Sequence, residues 1–550
     1  MTTFNEPRVN RRQALAVGGA FTLSGLLAAC GGGSSGRASD AGPATAVAGG
    51  SGKQIDALSI SVPQLGDLLH TTRAVGPILG ITLLGMEPLV LYQPDGSLAP
   101  NLAESWEQPS LTRYVFKLRS GVRFWDGSPL TPADVVASFD VHVGRGTESA
   151  SASYWTSVER VSARGDEIVV ELAAPDPAFI YTVARTGIFS AAFARRRGDK
   201  LGSPSVLNLG TGPYRFTAFT PLSRVRLERN DRYWGRAPPI GRIDAQVLNQ
   251  DTLLLGVQSG EVDAAFALPV SQLKSFTSLP DFALQNVPDA AVYKFNMVVD
   301  RAPWDDVHLR RAFAHAVDRD AIASGVLNGA DPATTLEPPT TFDGALPKSA
   351  VDEAYAELAQ LMPAYDLDKA RQELAQSRYP DGIETEVLVM ASDPNLSAIT
   401  QTAAQGAAEI GIKINVREVD ENTYINAVYL RHTTDGLSID NFGAGGPDLL
   451  NVPELTLNSH NIPPTGFTNV ANYERAAVDE LLARASRLRV DDPRRAQLAL
   501  DVLRRAGEDL PYVPVAFPKV YLGVKQQYAY AGFNAFWWLN RWPDQIVAQG

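Results

Sequence analysis

Few side chains in this sequence could carry covalent or acid–base chemistry. Cysteine occurs once, as Cys30 in the apolar run "LLAACGGGSS". A lone thiol can be an inert core residue, a nucleophile or an attachment point, and it excludes an intrachain disulfide and any Cys₂ or Cys₄ metal site. The acidic pairs Asp305/Asp306 and Asp491/Asp492 could form carboxylate dyads. Both stand at helix starts, however, where a carboxylate complements the helix dipole. His315 lies in "RRAFAHAVDR" between Phe313 and Val317 on a helical stretch. With no partner apparent, it reads as a core or surface histidine rather than a base. No HExxH helix, GxxxxGK[ST] loop or GxSxG elbow occurs. "GGGSSG" is glycine-rich but has no strand before it or helix after it, so it cannot cradle a phosphate. No catalytic residue, metal site or cofactor is assigned.

The place of Cys30 in the chain decides among its roles. Arg8, Arg11 and Arg12 precede an apolar run from Ala14 to Ala29. That run is shorter than the roughly 20 residues a spanning helix needs, and Gly18, Gly19 and Gly25 weaken it as a helix. Charge followed by apolar residues is the order of an export signal. "NRRQAL", with Arg11 and Arg12, resembles a twin-arginine signal; the general secretory route is the alternative. "LAAC" resembles the bacterial lipobox, which implies that Cys30 becomes the acylated N-terminus of the mature protein. Gly31 to Lys53 holds almost no large apolar residue and reads as a flexible tether. The expected plan is an export signal over 1–30, a tether over 31–53, and a globular body outside the cytoplasm.

At 550 residues the chain exceeds one ordinary core, so two or three units of about 100–250 residues are expected. Lys and Arg number 49 against 61 Asp and Glu, for a net charge of −12, which argues against a nucleic-acid surface. "TRYVFKLRSGVRFWDG" alternates through Tyr114, Phe116 and Leu118, turns at Gly121 and resumes at Val122 and Phe124, predicting a β-hairpin. Thr131, Pro132 and Asp134 then predict a capped helix with Val135, Phe139 and Val143 on one face. "YRFTAFTPLSRVRLER" predicts a second hairpin, and "DTLLLGVQSGEVDAAFAL" a helix ended by Gly260 before a buried strand. "NLSAITQTAAQGAAEIGIKINVREV" repeats the helix–strand order. "YDLDKARQELAQ", "DELLARASRL" and "PRRAQLALDVLRRAGEDL" predict amphipathic helices, the last two with arginines on the outer face. The fold class is α/β with antiparallel insertions.

Several segments, read in order, resemble the extracellular solute-binding proteins of family 5, the oligopeptide- and dipeptide-binding receptors of ABC importers. They are "LYQPDGSLAPNLAESWE" with "YVFKLRSGVRFWDGSPLTPADVVASFD", "LGTGPYRFTAFTP" with "VRLERNDRYWG" and "LLLGVQSGEVDAA", and "FNMVVDRAPWDDVHLRRAFAHAVDRDAI". "YDLDKARQELAQSRYPDG", "GIKINVREVD" and the stretch from Tyr473 to Phe517 continue the series. The resemblance spans about Ala57 to Val524.

The resemblance implies a two-lobe periplasmic-binding-protein-like fold of type II with an extra inserted subdomain, closing on a solute between the lobes. Lobe I would hold 54–99, 206–292 and 514–550, the inserted subdomain 100–205, and lobe II 293–513. "VYKFNM", which contains Asn296, and "YVPVAF" would be the hinge crossings. Glu87 in "GMEPLV" would face the cleft, with Gly212 and Tyr214 of "GTGPY" near its hinge side. Peptide binders carry a "GWxxDYxxPDxxL"-like element whose Asp neutralises the peptide amine. The matching stretch here is "GLSIDNFGAGGPDLL". Anchored on Pro447-Asp448 it puts Gly443 where that Asp belongs, and Asp440, followed by Asn441 and Phe442, could substitute after a loop shift. "GAGG" should enlarge or reshape that wall. The expected partners are a small solute (peptide-like, opine, sugar or chelate), an ABC permease and a lipid anchor on Cys30, with no nucleic acid and a monomeric chain. A hydrolase, or a sensor or adhesion receptor on the same scaffold, is the alternative.

Overall fold

In the computed structural model the described residues are 54–144, 147–434 and 436–549. Arg11, Arg12, Cys30 and the tether lie outside them. A seven-stranded sheet runs in the order Phe282–Pro288, Lys519–Lys525, Ala264–Phe266, Ile55–Ser61, Ile240–Gln246, Arg224–Arg229, Tyr214–Thr220. Ile55–Ser61 pairs in parallel with both neighbours and buries Leu58 and Ile60. Toward the edge the sheet becomes an antiparallel hairpin. There Val225 and Leu227 turn inward while Arg224, Arg226 and Glu228 face water, the alternation of a sheet with one wet face.

A six-stranded sheet runs Asp331–Pro332, Tyr512–Phe517, Ala291–Met297, Leu437–Gly443, Ile383–Met390, Ile412–Val419. Every residue of Ala291–Met297 is buried, as expected for a central strand covered on both faces. The strands "VYKFNM" and "YVPVAF" pair inside this sheet, so the chain passes between sheets just beyond them, at Asp289–Ala290 and at Pro518. The two passages run side by side, with Asp289 N–H donating to Pro518 C=O at 2.9 Å.

Along the chain between Ser61 and Tyr214 comes a four-stranded antiparallel sheet in the order Ala103–Ser110, Arg113–Leu118, Glu167–Leu172, Val158–Arg164. Tyr114, Phe116 and Leu118 point into its core, but the hairpin predicted beyond Gly121 does not form. Arg113–Leu118 takes the preceding strand as partner. Residues 122–130 instead close a tight loop on themselves through Phe124 N–H to Ser128 C=O and Leu130 N–H to Val122 C=O. The helix Pro132–Asp140 starts as predicted, with a reciprocal capping box between Thr131 and Asp134. Gly260 ends its helix at φ +81°.

The helix Pro493–Asp509 departs from its predicted outer-face arginines at Arg495, which is 3% exposed. It turns inward because buried Asp448 needs a counter-charge. Arg495 Nη2 meets Asp448 Oδ2 at 2.8 Å and Nη1 binds the other carboxylate oxygen. Asp492 caps this helix and Asp306 caps Val307–Ala316, so both acidic pairs serve helix starts.

Glu337 lies fully inside this second body. It accepts from Thr341 Oγ1 at 3.0 Å and from Val452 N–H at 3.3 Å, and burial pushes its carboxyl from 4.5 up to about 8. A raised carboxyl pKa means that the folded state holds the proton more tightly. Its stabilisation is therefore full below pH 4.5 and is lost as pH rises toward about 8. Glu337→Gln should remove a pH slope of at most about 1.4 kcal/mol per unit across that window, read from urea midpoints. Parallel wild-type and variant profiles would exclude a protonated Glu337.

Candidate functional site

Antiparallel register places Lys294 opposite Asp440 and Asn296 opposite Ser438 on one face of the six-stranded sheet. Lys294 Nζ pairs with Asp440 Oδ1 at 2.9 Å, and both side chains are 0% exposed. Asp440 Oδ2 accepts from Asn296 Nδ2 at 3.0 Å and from the Tyr429 hydroxyl at 2.6 Å. Asn296 also accepts from Lys294 and donates to Ser438 Oγ. The Lys294 ammonium sits over the rings of Tyr512 (4.6 Å) and Phe442 (5.2 Å). Burial pulls its pKa down, and the Asp440 carboxylate opposes that shift. Asn441 points away from this face, opposite Tyr293, and Gly443 ends the strand opposite Ala291.

Glu87 is likewise internal, at 1% exposure. Its carboxylate accepts from Thr211 Oγ1 (2.8 Å), the Tyr233 hydroxyl (2.6 Å) and Trp234 Nε1 (2.9 Å). Tyr233 in turn accepts from Arg541 Nη1 at 3.1 Å. Gly212 fits because a Cβ there would overlap the Leu84 carbonyl. Its own carbonyl takes Trp125 Nε1 at 3.0 Å and Asn230 Nδ2 at 3.3 Å. Tyr214 is buried in the seven-stranded sheet's core, and burial raises its phenol pKa. The sequence-derived residues thus gather into two internal groups, Glu87 with Gly212 in one wall and Asn296, Asp440 and Phe442 in the other.

Contact between the walls is made by residues that sequence reasoning did not select. Arg185 caps the short helix Phe179–Ala184 of the four-stranded body. Its Nη1 donates to the Gly445 carbonyl of the other wall at 2.6 Å. The guanidinium stacks 3.7 Å over the Tyr154 ring and lies 5.8 Å from the Trp538 ring. Gly445 is held by its N–H to Asn451 Oδ1 at 2.9 Å. A Cβ on Gly445 would overlap the Tyr154 hydroxyl. The "GAGG" loop was expected to open space in this wall, but at Gly445 the missing side chain admits the opposite wall instead. Val490 packs against the core of the four-stranded body and adds a second contact. The only sequence signal for Arg185 is a charged residue closing an apolar helix, "FIYTVAR". Among the described residues no three His, Cys, Asp or Glu side chains converge as metal ligands.

The Lys294–Asp440 pair yields a stability test. Lys294→Met strands a buried carboxylate and should cost about 3–5 kcal/mol, whereas Lys294→Met combined with Asp440→Leu should recover most of it. Denaturant midpoints for the cycle decide. An unchanged midpoint for Lys294→Met would show that the pair does not hold this wall.

Residues 97–463 match the family model for bacterial extracellular solute-binding proteins, family 5. The chain is 27% identical over 437 residues to a glutathione-binding protein of Escherichia coli O1:K1, covering 76% of this chain and 80% of that one. It is 29% identical over 458 residues to heme-binding protein A of Haemophilus influenzae, covering 76% and 79%. In fold it resembles the periplasmic binding protein DppA of Helicobacter pylori, solved with the peptide STSA, at TM-score 0.71 and 20% identity over 91% of this chain and 99% of that one. The protein is an extracytoplasmic solute receptor and not an enzyme. Two sheets joined by paired passages, an inserted four-stranded body and the family match reach one conclusion: the chain belongs to the bacterial extracellular solute-binding proteins of family 5.

Proposed function

We propose that this protein captures a peptide or peptide-like solute by lobe closure and delivers it to an ABC permease while anchored to the membrane through acylated Cys30. The observation that carries this is the seam at which Arg185, Tyr154 and Trp538 of one side meet Gly445 of the other. A hinge of two hydrogen-bonded passages is narrow enough to let the bodies rotate, and such closure encloses a ligand at the seam. The seven-stranded sheet is lobe I, residues 100–205 form the inserted subdomain, and the six-stranded sheet is lobe II, extended to Phe517. Relatives named for glutathione and heme support a small solute. The peptide held by the Helicobacter pylori protein supports its peptide-like character. Glu87 with Gly212 supports one wall, and Asn296, Asp440 and Phe442 support the other. "LAAC" and the Gly31–Lys53 stretch support the anchor and tether, which hold the receptor close to its permease. The chain acts as a monomer.

Gly445→Val should hold the lobes apart, because its side chain would occupy the place of Tyr154. Small-angle scattering should then give a larger radius of gyration than wild type. Equal radii would remove Gly445 from the closure surface. Cys30→Ala should shift the protein from the membrane to the soluble extracytoplasmic fraction or leave it unprocessed; continued acylated membrane association would refute the anchor.

A further inference from the structure

Four arginines are buried among the described residues, and three have their charge or donors answered inside the protein. Arg310 gives Nε, Nη1 and Nη2 to the carbonyls of Leu510, Trp304 and Asp509. Arg319 does the same with Pro514, Pro363 and Ala314. Arg495 forks onto Asp448. Arg185 differs. At 6% exposure it has one carbonyl, that of Gly445, its Nε has no hydrogen-bond partner, and no carboxylate among the described residues pairs with it. A guanidinium presents five donors in a fixed fork suited to carboxylate, and a buried charge is costly until it is paired. Of the two acids the family resemblance puts at the cleft, Glu87 already accepts from Thr211, Tyr233 and Trp234, and Asp440 is ion-paired with Lys294 and accepts from Asn296 and Tyr429.

We infer that Arg185 receives a carboxylate of the solute, flanked by Tyr154 and Trp538, and that neither Glu87 nor Asp440 receives an amine. This selects an anionic solute, and it rests on the solute-receptor function proposed above.

The test uses the exported protein, freed of solute by unfolding and refolding. It is then exposed to a small-molecule ultrafiltrate of bacterial growth medium, either untreated or methyl-esterified. Native mass spectrometry reads what is retained, and esterification of the released solute counts its carboxylates. Wild type should retain a solute bearing at least one carboxylate from the untreated ultrafiltrate and none from the esterified one. Arg185→Gln should retain at least about tenfold less, the scale of losing one partner of a buried charge pair. Circular dichroism checks folding, and if Arg185→Gln fails to fold, the wild-type comparison of the two ultrafiltrates decides alone. A retained solute without a carboxylate, or equal retention by the folded variant or from the esterified ultrafiltrate, overturns the role of Arg185 and leaves the receptor function standing. Retention of nothing by wild type overturns both.

Discussion

Pressing two lobes together penalises any charge left unpaired on their facing walls, because closure strips water from it and an unpaired buried ion is expensive. That constraint organises much of this structure. Asp440 would be a stranded anion in the middle of a sheet without Lys294 beside it, and the Lys294 ammonium gains two aromatic faces besides. Glu87 is held by three donors from the two ends of the Tyr214–Arg229 hairpin, Thr211 before it and Tyr233 and Trp234 after it. Asp448 is answered by Arg495 from a helix that otherwise turns most of its arginines outward. The buried acids of each wall are thereby hydrogen-bonded or charge-paired within that wall, so the free energy of closure falls on the few groups left at the seam.

The hinge has the complementary property. The strands on either side of it are fully paired within their own sheets, and the passages between sheets are joined by one backbone hydrogen bond. Rotation about such a narrow bridge disturbs little packing, since the apolar cores of the lobes are separate clusters. A small group, Val292, Ala333 and Phe517, packs together beside the bridge. Stiff lobes and a thin bridge make the open and closed arrangements differ mainly in what happens at the seam.

How much of this was legible in the sequence depends on the span of the interaction. Thr131, Pro132 and Asp134 act within four residues, so their capping box could be read directly. The hairpin at Tyr214–Arg229 could be read because its polar and apolar residues alternate on adjacent strands. The strand at Arg113–Leu118 was legible but its partner was not, since the residues after Gly121 have the pattern of a strand and fold as a loop. Asp440 is visible in the sequence as an acid, yet its neutralisation by Lys294 depends on a strand pairing across more than a hundred residues. Arg185 and Gly445 are 260 positions apart. Nothing in either local sequence announces the other, and only the family resemblance supplied the lobes that bring them together.

The contacts of Gly445 show why the seam, and not the walls, is the place where solute choice can change. A wall residue such as Asp440 cannot be altered without unbalancing Lys294, Asn296 and Tyr429 at once. A seam residue is bound by far less. Within its own wall Gly445 has one side-chain hydrogen bond, to Asn451, and it is kept free of a Cβ by the approach of Tyr154. Arg185 is held by one carbonyl and a ring. Substitutions there alter shape and charge between the lobes while leaving both cores intact, so a single scaffold can be retuned for chemically different solutes without being refolded.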